Sequence, residues 1–396
     1  MRGKEAVLIK YGELFLKSEP VMRHYVRVLT GNFKQALEGA GLDHAVHVYR
    51  GRVLVTGTDL EEIAIVARRI FGIVGVSICT WTEADLAVIE ETAVARAREH
   101  LFPGMTFAVR ARRSGMEGFS SQELGAKIGG MIFGEIPGLS VDLTDPDYEL
   151  FVEARDIGGI VYDRVAPGPG GVPLGTQARS LSLLSSGIDS PVASWLMMRR
   201  GSIPTFLHCR GGEWAGADVA KTALAHATVL SGWAPGIWLP LIEADFAPFY
   251  SELVRTARTK NRCIICKRMM LRTALAVATA ERLAAIVTGE NLGQVASQTM
   301  ENLGVIGAVI PPNMPLLRPL LTYDKQETID LARRIGTFRE SAGDLSCRAV
   351  PKHPAIAASL EAVQEDEEKM DVEALLEEIL ASLRRSRIRD GVREEP

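Results

Sequence analysis

The chain has 396 residues, 47% of them hydrophobic and 24% charged, which is enough apolar material for two or three cored domains. No apolar run reaches the ~18 residues of a membrane span, and the opening MRGKEAVLIKYGE lacks the basic-then-apolar layout of a signal peptide; a cytoplasmic protein with no membrane partner is expected. The formal net charge of −4 excludes a global positive field, so nucleic-acid binding would rest on local basic patches.

In chain order, apolar periodicity predicts a strand at 6–10, a helix at 20–42 ended by Gly39 and Gly41, and a half-buried strand at 46–55. Helices at 60–70, 86–100 and 121–133 then interleave with strands at 75–81, 106–112, 140–143, 148–154 and 159–164, an α+β pattern of two small modules. Segment 166–175, APGPGGVPLG, is the densest in glycine and proline and reads as a linker or wrapped loop. Beyond Ala178, β-like runs at 182–184, 205–208, 237–241 and 285–288 alternate with long helical patterns, which predicts a parallel sheet with helices on both faces. The tail 354–389 reads as a solvated helix, acidic around 361–378 and basic at 384–389.

The most informative stretch is 178–201, ARSLSLLSSGIDSPVASWLMMRRG. An apolar run is cut by Ser185-Ser186-Gly187-Ile188-Asp189-Ser190 and resumes at helical spacing, giving strand, tight polar loop, helix. Unpaired N–H groups of the first helical turn, with the positive end of the helix dipole, make an anion site. Ser185 and Ser190 add hydroxyls, and Gly187 lets backbone approach a ligand. The loop resembles the pyrophosphate loop of adenylating ATPases, S-G-G-x-D-S, with Ser186 in place of the second residue. A bland polar turn with Asp189 as the helix N-cap is the competing reading.

Other blocks agree with that loop in order. YGELFLKSEPVMRHY (11–25), FAVRARRSGMEGFSSQELGAKIG (107–129), GPGGVPLGT (168–176), TGENLGQVASQTMENL (288–303), LLRPLLTYDKQETIDLARRIGT (316–337) and CRAVPKHP (347–354) together resemble the ThiI family of tRNA 4-thiouridine synthetases over nearly the whole chain. The resemblance implies α+β N-terminal modules, ferredoxin-like (1–58) and THUMP (59–166), a linker (167–177), and an α/β parallel-sheet PP-loop ATPase domain (178–396). It implies an ATP-dependent sulfurtransferase that adenylates the C4 oxygen of uridine at tRNA position 8 and replaces it with sulfur. By the same resemblance Asp189, Lys325 and Cys347 are catalytic, with Asp189 orienting the loop or helping to coordinate Mg²⁺. ATP would be contacted by Leu183, Leu184, Ser185, Ser186, Gly187, Ser190, His208, Cys209, Lys267, Gly289 and Gln298. A non-sulfur PP-loop ligase acting on tRNA, and an RNA-binding protein with a decayed ATPase, are the alternatives.

Five cysteines in a cytosolic chain are expected to be free, metal-bound or catalytic. Cys263-Ile-Ile-Cys266 stands at the head of a predicted helix beside Arg262 and Lys267, a setting that favours thiolates; such a pair serves redox, zinc or iron–sulfur chemistry. A subset of the family pairs C-x-x-C with the later Cys347, and in it three thiolates hold an iron–sulfur cluster. A [4Fe–4S] cluster held this way by Cys263, Cys266 and Cys347 has one iron open for an external sulfide. The rivals are a Cys347 persulfide resolved by Cys263 or Cys266, and zinc with His353 as fourth ligand. Many bacterial members carry a rhodanese domain that this sequence, ending at Pro396, is expected to lack, which leaves sulfide or a cysteine desulfurase as donor. Cys79 reads as an inert core residue.

RNA recognition needs positive charge and stacking surface. Arg110, Arg112, Arg113 and Lys127, near Phe119, fit a basic patch at a helix entrance, with Arg50 and Arg52 weaker candidates. The resemblance implies that this THUMP surface grips the tRNA acceptor end and presents position 8 to the ATPase of a homodimer partner.

Overall fold

The computed structural model describes residues 3–12, 18–340 and 343–395. Residues 13–17 of the YGELFLKSEPVMRHY block lie outside them. The chain divides into two compact units, Met1–Val172 and Pro173–Pro396. Among the described residues no helix is long and apolar enough to cross a membrane.

The first unit runs β1 (Lys4–Tyr11), α1 (Glu19–Gly39), β2 (His44–Tyr49), β3 (Arg52–Gly57), α2 (Leu60–Ala67), β4 (Ile73–Trp81), α3 (Leu86–His100), β5 (Thr106–Ser114), α4 (Ser121–Glu135), β6 (Ser140–Val141), β7 (Tyr148–Arg155), β8 (Gly158–Tyr162) and β9 (Ala166–Pro167). The strand predicted at 46–55 is a hairpin: Tyr49 pairs with Arg52 across Arg50 and Gly51. Gly51 takes φ +80°, the left-handed conformation such a turn needs. The glycine-rich linker is partly strand, because Gly75 and Val76 pair with β9.

All nine strands join one sheet, ordered β2-β3-β1-β4-β8-β7-β5-β6 with β9 on β4. Alternation along β1 sends Val7, Ile9 and Tyr11 into the core that includes α1 and α2 residues, and Ala6 and Leu8 into a second core on the opposite face. Helices α3 and α4 cover β5, β7 and β8 in the same way. On the second face Arg52 of β3 meets Glu153 of β7 at 2.8 Å. A flat sheet would set these strands roughly 19 Å apart, so the sheet curls until its two halves touch.

Glu153, 1% exposed, also accepts from Arg155 at 2.7 Å and from the Tyr162 hydroxyl at 3.1 Å. Burial pushes its pKa up, but the Arg52 and Arg155 guanidiniums outweigh that and hold it below the usual carboxylate range. Lys10 donates to Tyr162 at 2.7 Å, and burial brings its pKa down to about 8 against the pull of Glu153. Glu153→Gln is expected to cost about 2 kcal/mol, measured by urea unfolding at pH 7, because the arginines lose the buried charge they face. The sign with pH follows from the depressed value. The contribution is full above the unfolded carboxylate pKa of about 4.3 and is lost as pH falls through the lower folded one, so the variant should lose less stability on acidification than the parent.

The second unit runs β10 (Ser180–Leu183), α5 (Asp189–Arg199), β11 (Pro204–Arg210), α6 (Val219–Ser231), β12 (Leu239–Asp245), α7 (Ala247–Thr256), α8 (Arg262–Ala280), β13 (Ile286–Val287), α9 (Met300–Gly307), β14 (Leu316–Leu317), α10 (Lys325–Ile335), α11 (Leu360–Glu367), α12 (Val372–Ala381), β15 (Arg384–Arg389) and β16 (Val392–Glu394). The sheet order is β14-β13-β10-β11-β12-β15-β16. The first five strands are parallel. The chain leaves β10 toward β11 and returns to its other side as β13, which makes the C-terminal ends of β10 and β13 the switch point where such sheets open a crevice.

The tail departs from the predicted solvated helix. It forms two short helices and then an antiparallel strand, β15, on β12. Within the acidic run, Asp366 and Glu367 are buried, bonded to Arg258 and Asn261 and to Arg268 and Arg272 respectively. Val363, Met370 and Ile379 pack into the main core of the unit. Asp366 and Glu367 thus face cations across the unit, while Glu361, Glu368, Glu373, Glu377 and Glu378 stay exposed, as expected of a solvated face.

Candidate active site

The loop Ser185–Ser190 closes on itself. The Ser190 hydroxyl accepts from the Ser185 N–H at 2.8 Å and pairs with the Ser185 hydroxyl at 2.9 Å, and the Gly187 N–H donates to that same Ser185 hydroxyl at 3.2 Å. From below, His226 of α6 contacts the Ser185 carbonyl at 3.1 Å and His208 of β11 the Leu184 carbonyl at 2.9 Å through Nδ1. A carbonyl only accepts, so Nδ1 carries the hydrogen in both rings. Burial lowers both pKa values, which keeps both rings neutral at pH 7. His208 Nε2 is then a buried acceptor with no protein partner, as is Gln298 Oε1.

Asp189 does not cap its helix. It is the first residue of α5, whose N-cap is Ile188, with no side-chain cap bond. Its carboxylate instead accepts from Lys325 Nζ at 3.2 Å and from Gln294 Nε2 at 3.1 Å. Lys325 is brought there by the capping box of α10, in which Asp324 and Glu327 bond each other's backbone N–H.

All eleven residues expected to contact ATP, with Asp189 and Cys347, line one cavity of about 370 Å³ at the switch point. An added Cβ at Gly187 would meet protein no nearer than 3.4 Å, whereas at Gly289 it would lie 2.6 Å from the Ser190 nitrogen. Gly187 is therefore small toward the cavity, and Gly289 is small toward the loop's own backbone.

Glu290 was not singled out from the sequence, although it follows Gly289. Its buried carboxylate bonds Lys267 at 3.2 Å, Arg318 at 2.6 Å and the Thr288 hydroxyl at 3.2 Å. Burial raises its pKa, yet the two cations pull it below its ordinary value. Glu290 and Lys267 line the cavity and Arg318 does not, but the three together carry one net positive charge beside it. The sequence also gave no reason to select Gln294, His226 or Tyr250.

The cysteines differ from expectation in two respects. Cys263 and Cys266 lie within the first turns of α8, not ahead of it. The helix terminus does not make them acidic: burial raises the Cys263 thiol and pushes Cys266 up to about 12. The same burial raises Cys209 well above its ordinary value, and Cys79 likewise, its thiol bonded to the Ala6 carbonyl at 3.3 Å inside the sheet. Cys263, Cys266 and Cys347 line a second cavity of about 190 Å³. Cys347 is exposed and is held by a bridge to Ala215. Among the described residues, no group of three or more His, Cys, Asp or Glu side chains stands close enough to hold a single metal ion.

In the first unit the basic residues are divided. Arg110 is paired with Glu149 at 2.8 Å and Lys127 with Glu90 at 2.8 Å. Arg112 and Arg113 are exposed, but alternation along β5 sends them to opposite faces. Arg50 occupies the β2–β3 turn, and Arg52 is committed to Glu153.

Fold and loop together define a PP-loop ATPase joined to ferredoxin-like and THUMP modules. Family models agree: "Thiamine biosynthesis protein (ThiI)" matches residues 175–372, the THUMP domain 83–162 and the ThiI ferredoxin-like domain 6–77. The chain is 35% identical to the "Probable tRNA sulfurtransferase" of Methanosarcina mazei, over 94% of this chain and 93% of that one. It is 37% identical to the protein of the same name from Methanothermobacter thermautotrophicus, over 97% and 98%. The crystal structure of a 4-thiouridine synthetase–RNA complex with bound ATP superposes with a TM-score of 0.82 at 27% identity, covering 97% of this chain and 99% of that one. The chain belongs to the ThiI family of tRNA sulfurtransferases.

Proposed function

We propose that the chain binds ATP in the switch-point cavity, adenylates the C4 oxygen of uridine at tRNA position 8, and exchanges that oxygen for sulfur to give 4-thiouridine. The observation that carries this reading is the meeting, in one cavity, of a phosphate-type loop with the Cys347 thiol. Oxide is a poor leaving group. Attack of the C4 oxygen on the α-phosphorus releases pyrophosphate and turns that oxygen into part of AMP; sulfur then bonds to C4 and AMP departs with the oxygen.

The loop N–H groups and the Ser185 and Ser190 hydroxyls hold phosphate oxygens, and the surplus charge of Lys267 and Arg318 offsets their negative charge. Lys325, fixed by Asp189, stabilises the charge that develops as pyrophosphate leaves. The Asp189 carboxylate is also the oxygen ligand suited to Mg²⁺ accompanying the phosphates. His208 Nε2 and Gln298 Oε1 are the free acceptors for nucleotide donors.

Three thiols around one cavity suit an iron–sulfur cluster better than zinc, because a single ion requires sulfurs gathered at about 2.3 Å from it and a cluster spreads them apart. Cys263, Cys266 and Cys347 would hold a [4Fe–4S] cluster, which would supply iron able to bind external sulfide. A second reading, a persulfide on Cys347 fed by a cysteine desulfurase, is favoured by that residue's exposure. The exposed Arg112 and Arg113 support tRNA binding by the first unit, and cytoplasmic action as a homodimer completes the reading.

The test is mass analysis of nucleosides from tRNA incubated with the protein, ATP and sulfide. A sulfur-for-oxygen mass change at position 8, with one pyrophosphate per event, is expected. Pyrophosphate release with a non-sulfur adduct would instead identify a ligase.

A further inference from the structure

The nucleotide cavity and the thiol cavity share four wall residues: Tyr250, Lys267, Met270 and Cys347. Tyr250 is the wall's polar atom on the side of Cys266. Its hydroxyl lies 3.4 Å from the Cys266 sulfur, in hydrogen-bond contact, with both residues more than nine-tenths buried. The ring is fixed from behind by Phe246 and Phe249, at centroid distances of 6.4 and 5.9 Å.

Such a wall, completed by Leu253 and Met270, would be filled equally well by phenylalanine. A buried hydroxyl whose partner is a neutral thiol adds little stability, since sulfur is a weak donor and acceptor. What it adds is direction: the contact links α7 to α8 and orients the Cys266 side chain at the partition.

We propose that Tyr250 is a positioning residue for sulfur transfer: its hydroxyl fixes the Cys266 sulfur at the partition between the thiol cavity and the nucleotide cavity. No bond to carbon or sulfur is made or broken at Tyr250; it sets where the sulfur-bearing thiols stand relative to the activated uridine. This rests on the reading that Cys263, Cys266 and Cys347 supply the sulfur.

The experiment compares Tyr250→Phe with the parent, both as the full chain, with melting curves recorded beside the assays. In one reaction, 4-thiouridine formed per pyrophosphate released is expected to fall about fivefold, the value of one ordinary hydrogen bond. In the iron-free, reduced protein, the infrared S–H stretch of Cys266, assigned by its loss in Cys266→Ala, is expected to move to higher wavenumber. An unchanged yield per pyrophosphate with an unmoved S–H band overturns the proposal. So does a parallel fall of both products with the melting temperature, which marks a merely structural ring. If Cys263→Ala, Cys266→Ala and Cys347→Ala all retain thiolation, the sulfur-site reading itself fails, whatever Tyr250 does.

Discussion

Gly289→Ala is expected to lower tRNA-dependent pyrophosphate release by about a hundredfold, although it adds only one methyl group to the outer end of a strand. That methyl would lie 2.6 Å from the Ser190 nitrogen, 2.7 Å from its Cα and 2.8 Å from the Asp189 carbonyl carbon. All three atoms are backbone, so no side chain can swing aside. Either the end of β13 or the start of α5 must shift by the better part of an ångström. A displacement of that size at a reacting centre costs on the order of a hundredfold in rate, and overpacking of this kind costs about 1–3 kcal/mol in stability. The measurement is pyrophosphate release at saturating ATP beside a urea titration. A wild-type rate would mean that the loop geometry is not what the reaction uses.

The second large effect is predicted for the pair Asp189 and Lys325, 136 residues apart in sequence and 3.2 Å apart in space. Asp189→Ala and Lys325→Ala should each reduce pyrophosphate release by about 10²–10³-fold, the range for loss of one preorganised charge-stabilising group. The double variant should be little worse than the more damaged single one, because either change already dismantles the shared arrangement. Multiplying effects would mean that the two residues act separately. Gln294→Ala, which removes the other bond to Asp189, should have a smaller effect in the same direction, since the ion pair survives.

Much of this site was legible in the sequence because it is local. The loop between β10 and α5 carries its own chemistry in six consecutive residues, and the strand–helix periodicity around it needs no tertiary information. The rest depends on distant partners. Nothing near Glu290 in sequence indicates that Arg318 will share its carboxylate with Lys267, and nothing near Phe246 indicates that Tyr250 will meet a thiol on another helix. The cysteine pair shows the reverse error. Helix position and basic neighbours argued for thiolates, but burial outweighs both and raises Cys266 to about 12.

Two elements differ from the expected pattern although the sequence carries their signal. Gly51 marked a turn inside an otherwise continuous strand pattern, and its positive φ makes the hairpin. In the tail, Ser386 and Ile388 alternate with arginines at strand period and are the buried positions of β15; the density of charge hid that alternation. In the acidic run before it, only Asp366 and Glu367 depart from the solvated reading, because Arg258, Arg268 and Arg272 arrive from elsewhere in the fold.

The central claim is that Cys263, Cys266 and Cys347 act as one sulfur-delivering site facing the nucleotide cavity. Its most direct test is iron and acid-labile sulfide analysis of protein purified without oxygen, for the parent and for each of the three Cys→Ala variants, beside a 4-thiouridine assay. Iron and sulfide are expected in the parent, and loss of both, together with thiolation, in every one of the three variants. An iron-free parent that makes 4-thiouridine with a desulfurase and needs only Cys347 would contradict it.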